Sequence, residues 1–451
     1  MYLSMVIGFL RDTNEKVVAE QVLDAFAKYA NSLEQYDELA KLYQDLTAYT
    51  KCEQMLKLCL GAANAQQAFA VRANLAKTYN HMNEPKLSLQ QTDLNLMIDP
   101  NNFEAKMEQS FSYYLLGDAK RSWEIQEECL NDPNCPEKVA KRIKFNSGTY
   151  LMMDGKFKEG MRRMIIGGKR DVGIWKTPEF AFPEWDGSHT EKTIVVYGES
   201  GIGDEIMNVR FLNHIKARGM NVVWYGTRGD TSQLFETSGF SVVRNLIELD
   251  PRKEYVAMDS TRLPVLLDLD MADVYTGAYI KTTQARIDKW KKILPEEFIT
   301  VRWSGNPVYD HDLHRTLDKP LLLNTLEGFG MPIVSLQIDA GKDQPGLIVP
   351  DVTDWLDTVA IQLLAKVNIT SCTSTAHSAG ASGAHVMVLP PICTYYPWLN
   401  LKDDNTSWWY GDNVKVYPQT KHRDWSGPIE AMKSQLIKGG LKWQPVSKKT
   451  A

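Results

Sequence analysis

The sequence predicts two kinds of structure in one chain: helical repeats over the first third, then a two-lobed α/β region built on parallel sheets. Three observations carry this reading. Tyr43, Tyr79, Tyr114 and Tyr150 return at matching places in helix–turn–helix blocks that recur roughly every 34 to 38 residues. Beyond them, short β-branched runs alternate with helical stretches in two successive sets. Finally, three small-residue turns follow in order: Gly198-Glu199-Ser200-Gly201-Ile202-Gly203-Asp204, Trp303-Ser304-Gly305-Asn306-Pro307 and Thr373-Ser374-Thr375-Ala376-His377-Ser378-Ala379-Gly380. Each closes a strand candidate, the place where open α/β sheets collect ligands and backbone amides face phosphate.

At 451 residues the chain exceeds a single core, so two or three units are expected. A composition of 43% hydrophobic and 24% charged residues excludes a wholly disordered or collagen-like chain. The net charge of -5 gives no global attraction to nucleic acid or to an anionic membrane. One stretch, 138–170, is locally basic, with Lys138, Lys141, Arg142, Lys144, Lys156, Lys158, Arg162, Arg163, Lys169 and Arg170 against Asp154 and Glu159. It reads either as a solvated helical face or as a docking surface for a phosphorylated or nucleic-acid acceptor. The six cysteines form neither a metal knuckle nor a disulfide framework, which suits a reducing, cytoplasmic setting. The apolar start has no basic residue before it and is closed by Arg11, Asp12 and Glu15, so neither a signal peptide nor a membrane span is expected.

Residues 1–167 form the helical segment. Asn83-Glu84, Gly117-Asp118 and Gly155-Lys156 mark tight turns, and Asp99-Pro100 and Asp132-Pro133 close two blocks by forbidding helix continuation. These features resemble a tetratricopeptide array of three to four degenerate units, a class that binds proteins or peptides. Each helix pair leaves an apolar face that only a neighbour covers, so the array is expected to stack as a solenoid. Residues 1–31 read as a capping pair with Phe9, Val17, Val22 and Phe26 inward.

Residues 168–191, with Trp175, Pro178, Phe182, Pro183 and Trp185, read as a packed connector. The first lobe, 192–295, begins with the strand candidates 193–197 and 221–225, separated by one helical stretch, 205–217. The second lobe, 296–451, offers strands at 298–303, 332–337, 367–370 and 386–389 and ends in a helix.

From Pro183 to about Trp425 the chain resembles the glycosyltransferase domain fused to tetratricopeptide repeats, which is similar to the heptosyltransferases and, more distantly, to the protein O-GlcNAc transferases. The stretches that carry this are Glu199-Ser200-Gly201-Ile202-Gly203-Asp204, Trp303-Ser304-Gly305-Asn306-Pro307 with Arg315, Val334-Ser335-Leu336-Gln337, Asp354-Trp355-Leu356-Asp357-Thr358, Thr375-Ala376-His377-Ser378-Ala379-Gly380-Ala381 and Ser407-Trp408-Trp409-Tyr410. The resemblance implies a GT-B fold and a nucleotide-sugar donor of UDP, GDP or ADP type. It makes Asp204 the general base, with Glu199, Gly201 and Gly203 in an acceptor-side loop. Donor binding falls to Ser304, Gly305, Asn306, Arg315, Gln337, Thr373, Ser374, Thr375, Ala376 and Ser378, and His377 joins the catalytic set.

Bland readings stand beside these. Asp204 also suits a helix cap, Arg315 a surface ion pair with Asp310, Asp312 or Asp318, and His377 a loop-holding role. Ala379, Gly380 and Ala381 are expected to let the helix backbone approach an anion closely. Relatives carry Asp-Thr where this chain has Cys372-Thr373, which leaves a catalytically degenerate repeat scaffold as the alternative. No metal is expected: Asp268-Leu269-Asp270 and Asp310-His311-Asp312 are acidic strings outside the context that would make them ligands. The expected enzyme is a metal-independent, inverting glycosyltransferase whose repeats recruit a protein, a glycan or lipid-linked glycan, or a modified nucleic-acid base.

Overall fold

The computed structural model describes residues 2–13, 15–166, 182–198, 201–226, 228–307, 309–337 and 344–444. The chain forms two compact units. One is Met1–Ile143 with Asn306–His314; the other is Lys144–Gly305 with Arg315–Ala451.

The first unit is helical. It comprises α1 (Tyr2–Asp12), α2 (Lys16–Ala27), α3 (Leu33–Asp45), α4 (Tyr49–Ala62), α5 (Ala65–His81), α6 (Pro85–Ile98), α7 (Phe103–Leu115), α8 (Ala119–Asn131) and the start of α9 (Glu137–Met153). Successive helices pack on one another in pairs, as an array of helix–turn–helix blocks requires. Ser32, Asn64, Asn102 and Asp118 cap α3, α5, α7 and α8 by accepting a backbone N–H from the first turn. The tight turns fall where the sequence marks them, with positive φ at Asn83, Gly117 and Gly155; Thr47 takes the same conformation, its hydroxyl accepting from Lys16 Nζ at 2.7 Å. Between helices runs a polar seam in which Ser112 Oγ donates to Asn80 Oδ1 at 2.8 Å and Gln126 Nε2 donates to Ser110 Oγ at 2.8 Å. Small hydroxyls let helices approach closely while satisfying one another.

The terminal pair departs from expectation. Phe9, Val17 and Phe26 are exposed, and Ile7, Ala19 and Leu23 point inward. In α2 the buried face runs through the i, i+4 pair Ala19 and Leu23, a phase that the more hydrophobic Val17 and Phe26 hide from a reading by side-chain size.

The unit also contains residues from far along the chain. Tyr49 OH donates to Asp310 Oδ1 at 2.8 Å, and His81 lies stacked between Tyr49 and His311, with ring centroids 4.9 and 5.6 Å away. His314 Nε2 is 2.8 Å from Asn80 O, and Phe111 meets His311 edge-on. The acidic string Asp310-His311-Asp312 is therefore part of a segment docked on these helices.

The second unit holds the end of α9, α10 (Phe157–Ile166) and two parallel sheets. Gly148 and Gly160 are small of necessity: a Cβ on either would lie 2.5 to 2.6 Å from the other's carbonyl oxygen, so α9 and α10 cross at backbone contact. The first sheet is formed by β1 (Thr193–Tyr197), β2 (Val222–Tyr225), β3 (Val242–Val243) and β4 (Tyr255–Asp259), in the order β3-β2-β1-β4. The second is formed by β5 (Ile299–Arg302), β6 (Ile333–Ser335), β7 (Val367–Ser371), β8 (Val386–Leu389) and β9 (Val414–Val416), in the order β6-β5-β7-β8-β9. Every pairing is parallel, and most strand residues are buried on both faces because helices cover both. The helical array followed by doubly wound α/β layers is the architecture the sequence predicts.

The sequence reading leaves out β3, β4 and β9. Of the connector, 167–181 lies outside the described residues, but Pro183–Trp185 runs along the edge of the first sheet, exchanging backbone bonds with Ala257. The helical stretch 205–217 is two helices, Ile202–Asn208 and Phe211–Ala217, interrupted where Arg210 Nε donates to Met207 O at 2.7 Å. No described helix is long and apolar enough to cross a membrane.

Candidate functional site

Each sheet order contains a reversal, between β1 and β4 in the first sheet and between β5 and β7 in the second, and ligands bind open α/β sheets at the carboxyl ends of strands beside such reversals. Three of the turns singled out in the sequence leave β1, β5 and β7 at these points.

After β1, Gly198 is required because a Cβ there would come within 2.6 Å of Glu205 Cγ. Glu205 folds beneath the turn, buried, paired with Arg228 at 2.7 Å and accepting from Thr231 Oγ1 at 3.0 Å. Burial pushes its carboxyl above the usual range despite Arg228 and Thr231. Glu199 lies outside the described residues. Gly201 opens the helix Ile202–Asn208, and its N–H donates to Asp204 Oδ2 at 3.2 Å, so Asp204 caps that helix. Its charge also reaches Tyr395 and Tyr396, whose hydroxyls are held well above their usual pKa first by burial and then by Asp204. Asp259, at the end of β4 across the reversal, is buried and accepts from Thr261 N and Oγ1 at 2.8 and 2.7 Å.

Around the second reversal Gln337 is the hub. Its Oε1 accepts from the backbone N–H groups of Trp303 and Ser304 at 3.2 and 3.1 Å, and its Nε2 donates to Ser304 Oγ at 2.8 Å. Arg315 Nη1 donates to Cys372 O at 3.1 Å, which sets the guanidinium at the end of β7. Ser304, Arg315, Gln337 and Thr373 are thus gathered from three strand ends. Asn306 opens the segment that belongs to the helical unit.

The third turn divides by direction. Thr373 and Thr375 share an inward hydroxyl ladder with Thr370, Ala376 is fully buried, and Ser378 Oγ donates to Gln362 Oε1 at 2.8 Å. Ser374, at the first turn of the helix Ser374–Ser382, stays partly exposed. The small residues of this helix have a different occupant from the expected anion: a Cβ on Gly380 would stand 2.8 to 3.0 Å from the ring of Tyr410, which packs flat on the backbone. This corrects the expected close approach of a ligand at Gly380.

The two lobes' turns meet here. A Cβ on Gly203 would lie 3.0 Å from His377 Cδ2 and 3.3 Å from Ser374 Cα. His377 is buried, with Nδ1 2.6 Å from Tyr410 OH and Nε2 hydrogen-bonded to Tyr395 OH. Burial, together with the charges of Arg210 and Arg315, lowers its pKa to about 3. The ring is therefore neutral, donating to one tyrosine and accepting from the other.

Behind Tyr410 sits Arg210, only 2% exposed. Its guanidinium lies 4.6 and 4.7 Å from the ring centroids of Tyr279 and Tyr410 and donates to Trp409 O. Arg210, Tyr395, Tyr410 and Asp259 are absent from the sequence-predicted set. For Arg210 a signal was present: a lone cation inside the apolar run Val209 to Leu212.

The other charged motifs are spent on structure. Asp354 caps the helix Trp355–Leu364, and Asp357 is fully buried against Arg286, Lys289 and Trp290. Asp268 pairs with Lys158 and Arg162, Asp270 caps a short helix, and Arg163 and Lys141 pair with Glu159 and Glu137 on their own helices, so part of the basic stretch is neutralised.

No protein-family model and no curated protein matches this chain. Among solved structures it is similar to the heptosyltransferase WaaC of E. coli with ADP, at 10% identity over 55% of this chain and 100% of that one, with a TM-score of 0.36. It is also similar to a glycosyl transferase family 9 protein of Veillonella parvula, at 12% identity over 57% and 93%, TM-score 0.34. An O-GlcNAc transferase mutant of Thermobaculum terrenum is similar at 11% identity over 90% and 91%, TM-score 0.35. Both kinds of protein named in the sequence resemblance are among these neighbours.

Proposed function

We propose that the chain is a metal-independent, inverting glycosyltransferase that moves a sugar from a nucleotide-sugar donor to an acceptor hydroxyl. The observation that carries this reading is the meeting of the Asp204 turn with the Ser374–Ser382 helix start, beside the gathered Ser304, Arg315, Gln337 and Thr373. Direct displacement needs a base on the acceptor and compensation for negative charge on the departing diphosphate. Asp204, at the first-lobe turn, takes the acceptor proton. Arg315, whose planar fork stays charged and binds phosphate oxygens bidentately, faces the diphosphate together with Ser304, Ser374 and the backbone N–H groups of the third turn. The guanidinium and the helix start supply the positive potential, so no cation is needed in this scheme. His377 positions rather than transfers: a neutral ring holding two tyrosines fixes the loop that the acceptor-side turn leans on. The helical unit recruits the acceptor, a protein first, then a glycan or lipid-linked glycan, then a modified nucleic-acid base presented to the basic stretch 138–170.

The test is thermal stabilisation by UDP, GDP, ADP, CMP and their sugar conjugates, with Arg315→Ala in parallel. One nucleotide family at a hundredfold above its Kd is expected to stabilise the native chain by about 3 kcal/mol, and Arg315→Ala to abolish most of that. No shift with any ligand would favour a degenerate scaffold, in line with Cys372 standing where relatives carry a carboxylate. A product that retains the donor's anomeric configuration would overturn the inverting mechanism.

A further inference from the structure

A concavity lies on the α/β unit, between the segment at Ala272–Tyr275 and the loop 408–413. It is an open groove of about 470 Å³ lined by Tyr275 and Trp408, with Lys402, Asp412 and Asn413 at its edge and the fully buried Tyr410 beneath. Nothing in the donor scheme uses it.

Its construction is fixed. Gly411 is required, because a Cβ there would meet Tyr275 Cε1 at 2.8 Å and its hydroxyl oxygen at 3.1 Å. Asn413 Nδ2 donates to Ala384 O at 2.9 Å and Gly380 O at 3.3 Å, so the amide is oriented before any ligand arrives. Lys402 Nζ lies 4.8 Å from the Trp408 ring centroid, and Trp408 is half-buried. Tyr410, buried beneath the groove, is hydrogen-bonded to His377 at 2.6 Å, so the groove adjoins the candidate centre.

We propose that this groove binds a saccharide, as part of a carbohydrate acceptor. The partly exposed rings of Tyr275 and Trp408, with hydrogen-bonding groups at their edges, match a sugar ring, which presents C–H bonds on its faces and hydroxyls around its rim. The carboxylate of Asp412 accepts from hydroxyls, and Lys402 donates to them. A lipid or apolar peptide requires a continuous apolar lining, which Lys402, Asp412 and Asn413 interrupt. A polyanion would meet one ammonium beside one carboxylate, with no net positive charge to hold it. The acceptor role rests on the transferase reading; saccharide binding itself does not.

The experiment is saturation-transfer NMR of the full chain with methyl glycosides of glucose, galactose, mannose and N-acetylglucosamine and the corresponding disaccharides, without nucleotide. The UDP, GDP and ADP thermal shifts are recorded on the same samples. One saccharide is expected to receive saturation, with binding about tenfold weaker in Trp408→Ala and weaker also in Asp412→Asn, a substitution at an exposed position that folds even where Trp408→Ala does not. The nucleotide shift is expected to be unchanged in both. The proposal is overturned by no transfer to any saccharide at about 10 mM, a concentration that detects the weakest specific affinities, or by transfer unaffected by both variants. It is likewise overturned if an acidic peptide or an anionic vesicle binds and is lost with Trp408. A saccharide bound without any nucleotide shift would sink the transferase reading while leaving the groove standing.

Discussion

His377 shows how one side chain is given a role by its surroundings. In the sequence it is a histidine in a small-residue turn, and a phosphate donor is a natural reading of it. In the structure both nitrogens belong to tyrosines, and burial together with Arg210 and Arg315 lowers its pKa to about 3. The folded ring therefore refuses a proton that the unfolded ring accepts near 6.5. Between those values the unfolded state binds more protons, and stability must fall as pH falls. At pH 5 the loss from this group is about 2 kcal/mol. His377→Gln, which does not titrate, is expected to flatten the decline of the melting temperature between pH 7.5 and 5. An equally steep decline in the variant would show that the ring is not the group responsible. Asp204 was legible as a cap because Asp after Gly is a helix-start signal. Tyr395 and Tyr410 were not legible as partners of His377, since they lie 18 and 33 residues away and nothing local to either sequence stretch marks the contact.

At the scale of elements, the strands that sequence read best are the largely buried runs rich in β-branched residues, such as Thr193–Tyr197 and Val367–Ser371. The short β3 and β9 carry too few residues to show a pattern and exist because a neighbouring strand offers them a ladder. The helix Trp355–Leu364 illustrates a different case: its Asp354 and Asp357 are a capping signal any reading finds, but the burial of Asp357 is set by tertiary partners. Burial pushes its carboxyl up, yet hydrogen bonds from Trp290, Lys289 and Thr353 hold it down to about 2. Its contribution is therefore present above about 3.8, the ordinary value, and is lost as pH falls through 2. Asp357→Ala removes the buried anion that Arg286 and Lys289 share, leaving Arg286 with Asp354, and is expected to cost the α/β unit about 3 kcal/mol in urea unfolding at pH 7. This is the low end for a broken buried pair because both cations keep some contact with water. A loss below about 1 kcal/mol would place the pair with ordinary surface bridges.

At the scale of the molecule, the division into units does not follow the order of the chain. Residues 306–314 leave β5, join the helical unit, and return to place Arg315 at the end of β7, so Ser304 and Arg315 bracket a segment whose anchor is the ring stack on Tyr49 and His81. No local pattern predicts this, because Asp310-His311-Asp312 reads only as an acidic string until Tyr49 and Asn80 are beside it. The anchor has a sign in pH. Burial lowers the pKa of His81, Asp310 pulls it back up, and Lys77 and Arg142 lower it further. Below about 6.5 burial in the stack opposes protonation of His81, so docking is expected to weaken toward acid. Hydrogen exchange at 309–314, corrected for its intrinsic pH dependence, is expected to show that loss of protection. His81→Phe, which keeps a flat ring between Tyr49 and His311 but cannot titrate, is expected to remove it. Protection that falls equally in the variant would assign the effect to the carboxylates or to His311 and His314 instead.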